Sequence, residues 1–405
     1  MYLCRDKKRV LLLFYPNFNL NLYNYNMENF IVSARKYRPM TFKSVVGQDA
    51  IVATLKNSIK TKQIAQAFLF CGPRGVGKTT CARIFAKALN CLNLTEDFEP
   101  CNECESCRSF NESASFNVYE LDAASNNSVE DIRSLIEQVR INPQGAKYKV
   151  YIIDEVHMLS STAFNAFLKT LEEPPAYVKF ILATTEKHKI IPTILSRCQL
   201  YDFKRISDHN IVKHLQFVAE NENITADEEA LRVIAHKADG ALRDALSIFD
   251  QLVSFSGNHL TYQAAIENLN VLDVENYFNI TDYLFSDNIA DALLLFDDIL
   301  NRGFDGQHFI MGLAGHFRNL LIAQNPNTAH LLETSNTMQV RFVEQAKKID
   351  SLLLLRALEL ANNCDFNYKL SNNKRFSIEI TLMQINANYM HTQRQQAVRQ
   401  SREGK

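Results

Sequence analysis

The sequence lacks an excess of charge of either sign: 44 Lys and Arg stand against 45 Asp and Glu, a formal net charge of −1. A chain so balanced has no global basic field, so any nucleic-acid contact has to come from a local patch or from an assembled ring. It also lacks an apolar run of the roughly 18–20 residues needed to span a bilayer. Nine cysteines in a chain this long suggest metal ligands or free thiols rather than a disulfide framework. The protein is therefore read as cytoplasmic. At the N terminus, Arg5, Lys7, Lys8 and Arg9 precede Val10 to Phe14 and imitate a signal peptide. The apolar core is short, however, and no small-residue cleavage site follows it. Translation is expected to start at Met27, with residues 1–26 an upstream artefact or a disordered arm and residues 1–30 an extension outside the fold.

A chain of 405 residues exceeds one hydrophobic core and calls for two to four domains. Its organising stretch is Gly72-Pro73-Arg74-Gly75-Val76-Gly77-Lys78-Thr79, which reads G-x-x-x-x-G-K-T and is followed by Thr80. Ala67 to Cys71 before it has the character of a buried strand, and Cys81 to Leu89 after it has helical spacing. Strand, glycine loop and helix form the context in which the pattern binds phosphate. The glycines let backbone N–H groups turn inward, and the helix N-terminus adds partial positive charge. Lys78 is expected to reach the β- and γ-phosphates of ATP, and the Thr79 hydroxyl to ligate Mg²⁺. A glycine turn that merely joins strand to helix is the bland alternative.

Downstream, Lys149 to Ile153 reads as a buried strand delivering Asp154-Glu155-Val156-His157. Paired acids at a strand end are ordinary surface residues by themselves. Behind a phosphate loop they read as the second half of an ATPase site, with Asp154 holding Mg²⁺ and Glu155 polarising the attacking water. Val178 to Thr184 is the next strand, and its polar end Thr184-Thr185 can sit between the acids and the γ-phosphate. Between loop and acids lie Cys91, Cys101, Cys104 and Cys107. Thiolates in two tight pairs suit a closed tetrahedral Zn²⁺ site with no open position for catalysis. Unrelated thiols or an iron–sulfur cluster compete with that reading. The segment from Leu92 to Pro100 is polar and lacks a core of its own. Cys4, Cys71, Cys81, Cys198 and Cys364 are read as ordinary small apolar residues.

Further elements follow from periodicity and capping. Helices are expected from Asp49 to Lys60, from a capping box at Ser128–Asp131 to about Arg140, and through Phe164 to Leu171 up to Pro174-Pro175. Strands alternating with helices imply an α/β domain, a parallel sheet between helices, over 31–206. After Ser207 strand signals vanish. Asp208–Asn221, a helix capped by a box at Thr225–Glu228, and a helix from Ala241 make a small helical lid over 207–256. Residues 257–390 read as a separate all-α domain, with helices at Val274–Leu284, Ile289–Leu300, Phe309–Ala323, Leu352–Asn362 and Ile378–Tyr389. Residues 391–405 read as a polar tail, frayed from Gln393.

In combination these motifs resemble the γ/τ subunits of bacterial DNA polymerase III clamp loaders, which are AAA+ ATPases. The resemblance covers Ser33 to about Tyr389. It rests on Arg35-Lys36-Tyr37-Arg38-Pro39, the Gly72–Thr79 loop, the four cysteines, Asp154-Glu155-Val156-His157, Leu171-Glu172-Glu173-Pro174, Ser196-Arg197-Cys198 and Gly240-Ala241-Leu242-Arg243-Asp244. It implies that Tyr37, Arg38 and Pro39 border the adenine, and that Thr184 is the first sensor of the γ-phosphate. Arg197 would act in trans on a neighbour's ATP, and Arg243 would be a second sensor on the lid. It implies ATP, Mg²⁺ and a structural Zn²⁺ (at 91–107) as cofactors. The helical domain would be a collar in a pentameric ring of further copies with delta and delta-prime subunits, working on the sliding clamp and primer–template DNA at the nucleoid. Longer members carry C-terminal regions that bind helicase and polymerase; such tethers are not expected of this chain, and the polymerase active site belongs to another subunit. A non-hydrolysing scaffold subunit would lack Lys78, Thr79, Asp154 and Glu155. A branch-migration helicase would carry a winged-helix DNA-binding region and no cysteine insertion.

Overall fold

Five strands lie at the centre, and their apolar residues alternate between two cores. The computed structural model describes residues 31–403, apart from 270, 326, 329, 330, 333 and 335, with the backbone alone at 336, 337 and 396–403. The expected N-terminal extension, with Cys4, therefore lies outside the described residues. Helices α1 (Ser33–Lys36) and α2 (Asp49–Thr61) precede β1 (Ala67–Cys71). Helices α3 (Lys78–Asn90) and α4 (Glu105–Asn111) lead to β2 (Val118–Asp122), and α5 (Val129–Val139) to β3 (Lys149–Asp154). Helix α6 (Ser161–Glu172) leads to β4 (Val178–Thr184), and α7 (Pro192–Leu195) to β5 (Gln199–Asp202). All pairings are parallel, in the order β2-β3-β4-β1-β5.

Strand β1 shows how the layers are made. Ala67, Leu69 and Cys71 pack with the apolar stripes of α5 and α6, while Phe68 and Phe70 pack with those of α2 and α3. A strand buried on both faces reads as a continuous apolar run, as this one does. On the first face Phe180, 0% exposed, meets Phe167 edge-on at 5.1 Å between ring centroids. Phe180→Ala is expected to destabilise the sheet domain by about 3–5 kcal/mol. Leu352→Ala, at a side chain 76% exposed, should stay within about 0.5 kcal/mol. Chemical denaturation of the two variants checks the difference.

The elements expected from periodicity are present, most with small shifts at their ends, although the helix expected at Leu352–Asn362 continues to Tyr368 and the one expected at Ile378–Tyr389 spans Lys374–Glu403. The Ser128 capping box is formed in both directions, Asp131 N–H to the Ser128 hydroxyl and Ser128 N–H to the Asp131 carboxylate, each at 3.2 Å. The expected box at Thr225–Glu228 is not. Thr225 and Ala226 instead form a two-residue strand, β6, parallel to β7 (His259–Leu260), so strand structure does persist beyond Ser207. Asp227 is the N-cap there, without a side-chain cap bond, because its carboxylate accepts Tyr262 N–H at 3.1 Å. The polar tail, expected to be frayed from Gln393, is helical as far as Glu403. Beyond α8 (Asp208–Asn221), α9 (Glu228–Ala238), α10 (Leu242–Ser256), α11 (Tyr262–Leu269), α12 (Val274–Leu284), α13 (Ile289–Asn301), α14 (Gly306–Ala323), α15 (Asn336–Ala346) and α16 (Ser351–Tyr368), the last helix α17 spans Lys374–Glu403. Its polar end carries good helix formers and no glycine or proline to stop it.

Helices α8 to α11 share one core around Leu215, Leu231, Ile234 and Phe249, joined by Ala34, Tyr37 and Val46 from the N-terminal arm. Helices α12 to α17 share another, around Phe278, Phe296, Phe309 and Phe317. Among the described residues no helix is long and apolar enough to cross a membrane.

Candidate functional site

The carboxyl ends of β1, β3 and β4 meet at one place, where sheets of this kind receive ligands. Gly72 N–H there donates to Thr184 O at 3.2 Å, tying the phosphate loop to β4. A Cβ at Gly72 would lie 2.4 Å from the Phe203 carbonyl oxygen, so no other residue fits this close backbone approach. Gly77, at φ +103°, caps α3 in the left-handed region, with nothing within 4 Å of a notional Cβ. Its glycine is demanded by conformation rather than crowding. The loop thus ends facing open space with the N-terminus of α3 behind it.

Lys78 is 5% exposed. Its Nζ donates to the carbonyls of Gly72 at 2.8 Å and Pro73 at 2.7 Å. Burial lowers its pKa, against the pull of Glu155 and Asp154. The Thr79 hydroxyl donates to Asp154 Oδ2 at 2.5 Å. Oxygen donors brought together in this way suit a hard divalent cation such as Mg²⁺. Asp154 Oδ1 in turn accepts Glu155 N–H at 2.9 Å. Glu155 sits at φ +47°, a conformation that costs a non-glycine residue of order 1–3 kcal/mol and tends to be kept for function. Its Oε2 accepts from Thr185 N–H at 3.3 Å and from the Thr185 hydroxyl at 3.0 Å. Thr184, fully buried, points its hydroxyl at His157 Nδ1 at 3.0 Å.

The N-terminal arm bridges lid and loop. The Tyr37 hydroxyl donates to Glu222 at the end of α8, and its ring meets Phe217 edge-on; burial and Glu222 push its pKa up to about 12. Arg38 Nε reaches the Thr80 hydroxyl at 3.4 Å. Burial and the neighbouring guanidiniums of Arg83 and Arg243 lower the Arg38 pKa. Like charges gathered beside a phosphate loop make a field that a polyanion relieves. The lid closes the same corner: Arg243 N–H donates to Gly75 O at 3.4 Å, and a Cβ on Gly75 would come within 2.8 Å of Ala241 Cβ. The exposed Arg74 and the buried Val76 complete the loop, Val76 in the core beneath it. Pro39 follows Arg38 in the arm. Arg197 contacts a different set of residues. It pairs with Glu172 at 2.6 Å and donates to Thr193 O at 2.8 Å.

At the other end of α3 the Asn90 amide clasps Tyr148, donating to its carbonyl at 2.8 Å and accepting its N–H at 2.9 Å. Immediately beyond lie Cys91, Cys101, Cys104 and Cys107, with all four Sγ atoms within 4.8 Å of one another. Cys91 and Cys101 are 3.5 Å apart, and Cys101 and Cys107 3.9 Å. Zn–S bonds of about 2.3 Å in a tetrahedron need sulfurs about 3.8 Å apart, so the cluster fits that ion. Burial pushes the Cys107 thiol up. It works against Cys104 too, yet N–H groups of Leu92 and Cys107 hold that thiol down to about 6. Cys71, Cys81 and Cys364 are buried away from this group.

Sequence reasoning missed three partners of these sites. Lys87, buried on α3, brings its ammonium to Asn111 Oδ1 at 3.2 Å and to Asn102, close to the thiols. Glu99 accepts Phe42 and Lys43 N–H at 2.6 and 2.9 Å, and Leu94 and Phe98 pack on the α2/α3 core. The insertion is therefore anchored by more than its cysteines. His157 was legible only as a letter of its motif; no local pattern announces a ring whose hydrogen-bond partners, Thr184 and Glu186, lie 27 and more residues away.

Three family models cover the chain: DNA polymerase III, delta subunit, at residues 47–207; DNA polymerase III clamp loader subunit, ATPase lid domain, at 210–258; and DNA polymerase III subunits gamma and tau domain III, at 261–401. The chain is 42% identical over 352 residues to DNA polymerase III subunit tau of Bacillus subtilis, covering 87% of this chain and 62% of that one. It is 36% identical to subunit tau of Escherichia coli, covering 87% and 54%. With DNA polymerase III subunit gamma of Buchnera aphidicola, from Acyrthosiphon pisum, it is 33% identical, covering 88% and 99%. The chain thus spans about half to three-fifths of the tau relatives and nearly all of that gamma relative.

Proposed function

Since the chain belongs to the family of DNA polymerase III gamma and tau subunits, we propose that it is the ATP-hydrolysing subunit of a replicative sliding-clamp loader. The observation that carries this reading is the Thr79–Asp154 contact at 2.5 Å, with Lys78 and Glu155 beside it. A subunit that only bound or braced would not need a cation pair and a base in register.

Lys78 and the Gly72–Thr80 backbone hold the β- and γ-phosphates of ATP, and Tyr37, Arg38 and Pro39 border its base. Thr79 and Asp154 would hold Mg²⁺, whose charge offsets that of the phosphates. Glu155 is the general base for the attacking water. Thr185 fixes its carboxylate, and Thr184 serves as the sensor that ties this end of β4 to the γ-phosphate. Arg243 reports nucleotide to the lid. Arg197 serves the ATP of an adjoining subunit, so hydrolysis depends on assembly. Helices α12 to α17 form the collar of a ring with delta and delta-prime subunits and further copies of this chain. Binding ATP lets the ring open the clamp and grip primer–template DNA; hydrolysis releases both. The four cysteines hold a structural Zn²⁺, with Lys87 offsetting the charge of the thiolates.

The test is ATP turnover by the protein alone and with its partner subunits, clamp and primed DNA. Turnover is expected to be weak alone and strong in the assembly. Lys78→Ala should abolish it by loss of nucleotide binding, read directly by titration with a fluorescent ATP analogue. An assembly that loads clamps with undiminished Lys78→Ala turnover would mean that another subunit burns the ATP.

A further inference from the structure

His157 lies in the 3-10 turn Val156–Met158 that follows β3, with its side chain 6% exposed. Its Nε2 is 3.0 Å from Glu186 Oε2. A carboxylate oxygen only accepts, so Nε2 carries the ring proton. On the other side, Nδ1 is 3.0 Å from Thr184 Oγ1 and 3.4 Å from Glu155 Oε2. Thr184 Oγ1 already accepts Glu186 N–H at 3.0 Å, which leaves its own proton to donate to Nδ1. One buried ring therefore bonds the end of β4 and the second residue after it, and lies against the carboxylate of Glu155, which Thr185 between them holds.

Glu186 opens a short run to Arg197. It pairs with Lys189 at 2.7 Å, and Lys187 pairs with Asp202 at the end of β5. The run then turns through α7, whose backbone holds Arg197 by the Thr193 carbonyl. Few residues and several bonds separate Glu186 from Arg197, so a displacement at one end is carried to the other.

We propose that His157 is a positioning residue that couples the orientation of Glu155 to the segment 186–197 ending at Arg197. The proposal rests on Glu155 being the base and Arg197 acting in trans. When a neighbour's nucleotide engages Arg197, the segment is pinned, Glu186 holds the imidazole, the imidazole holds the Thr184 hydroxyl, and the adjoining Thr185 holds the carboxylate of Glu155. A chain that lends its arginine thereby gains a better-oriented base in its own site, and hydrolysis is passed from subunit to subunit. His157 transfers no proton in this scheme.

The experiment compares variants in the assembly with partner subunits, clamp and primed DNA. His157→Phe keeps the ring's bulk and removes both nitrogens. It is expected to lower kcat by about tenfold or more, as small misplacements of catalytic groups do, with the KM for ATP and the melting temperature unchanged. His157→Gln returns a donor toward Glu186 and should recover to within about threefold of wild type. Glu186→Ala alters a side chain that reaches solvent, so it tests the same link without disturbing the core. It should act like His157→Phe, and the double variant should be no slower than the slower single, because both cut one connection. Wild-type kcat in His157→Phe, multiplying effects in the double variant, or a loss of ATP affinity that matches the loss of rate would each overturn the coupling. A wild-type assembly without ATP turnover would overturn the function beneath it instead.

Discussion

Replacing Arg197 with alanine is expected to leave ATP binding intact while lowering hydrolysis in the assembled ring by about 10³–10⁵-fold, the range that arginine fingers supply. That range corresponds to about 4–7 kcal/mol of transition-state stabilisation. In its own chain the Arg197 guanidinium spends itself on Glu172, with side chains 36% and 46% exposed. Ion pairs so open to water are worth about 0–1 kcal/mol. The developing charge on a γ-phosphate therefore outbids Glu172 by a wide margin, and the present partner holds the side chain ready rather than captive. Arg197→Lys should recover little, since an ammonium cannot match the planar fork of a guanidinium. Single-turnover hydrolysis with and without partner subunits is the measurement. In the isolated protein the substitution should change nothing. Normal turnover of the mutant assembly would refute action in trans, and a loss in the isolated protein would place the arginine in its own site.

Loss of the zinc proposed for the four-cysteine cluster carries the second large expected effect. Metal analysis should give one zinc per chain, and a mercurial titration should release it. Structural zinc in small peptides is worth about 10–16 kcal/mol of apparent binding energy, and in such peptides that energy is the folding energy. Here the outcome is local. Glu99 holds Phe42 and Lys43, and Leu94 and Phe98 of the insertion pack on the α2/α3 core. The stripped protein should therefore become sensitive to protease between Cys91 and Asn111 while its nucleotide affinity stays within about twofold, as for a site to which the metal makes no contact. Cys101→Ser should reproduce both results. A zinc content of zero in freshly isolated protein would reject the site.

What could be read from the chain in advance was the structure that neighbours in sequence set. The glycine loop is such a case, because Gly72 and Gly77 act through their own backbone conformations and Lys78 and Thr79 follow at once. Helix α8 and helix α12 were legible to the residue because caps and apolar stripes are local. Thr225 shows the limit. Its pattern fits a capping box, but a partner 34 residues on, His259, claims its backbone, and Tyr262 claims the carboxylate of Asp227. The helical end of α17 was not foreseen for a related reason: a polar composition carries no apolar stripe to announce a helix, although nothing in Gln393–Glu403 breaks one. The links from His157 to Glu186 and from Glu99 to Phe42 belong to the fold alone, since no spacing rule joins residues brought together by a sheet.

Helix α3 is secured at both extremities, at its start by the turn of Gly77 and at its finish by Asn90 gripping Tyr148. Such a rod, about 20 Å long at 1.5 Å per residue, cannot unwind when its anion departs. The entropy of ordering the cradle is settled when the polypeptide folds, so none is drawn from each arriving nucleotide. On the function proposed above, product would leave and fresh nucleotide enter past a helix end that folding has already set.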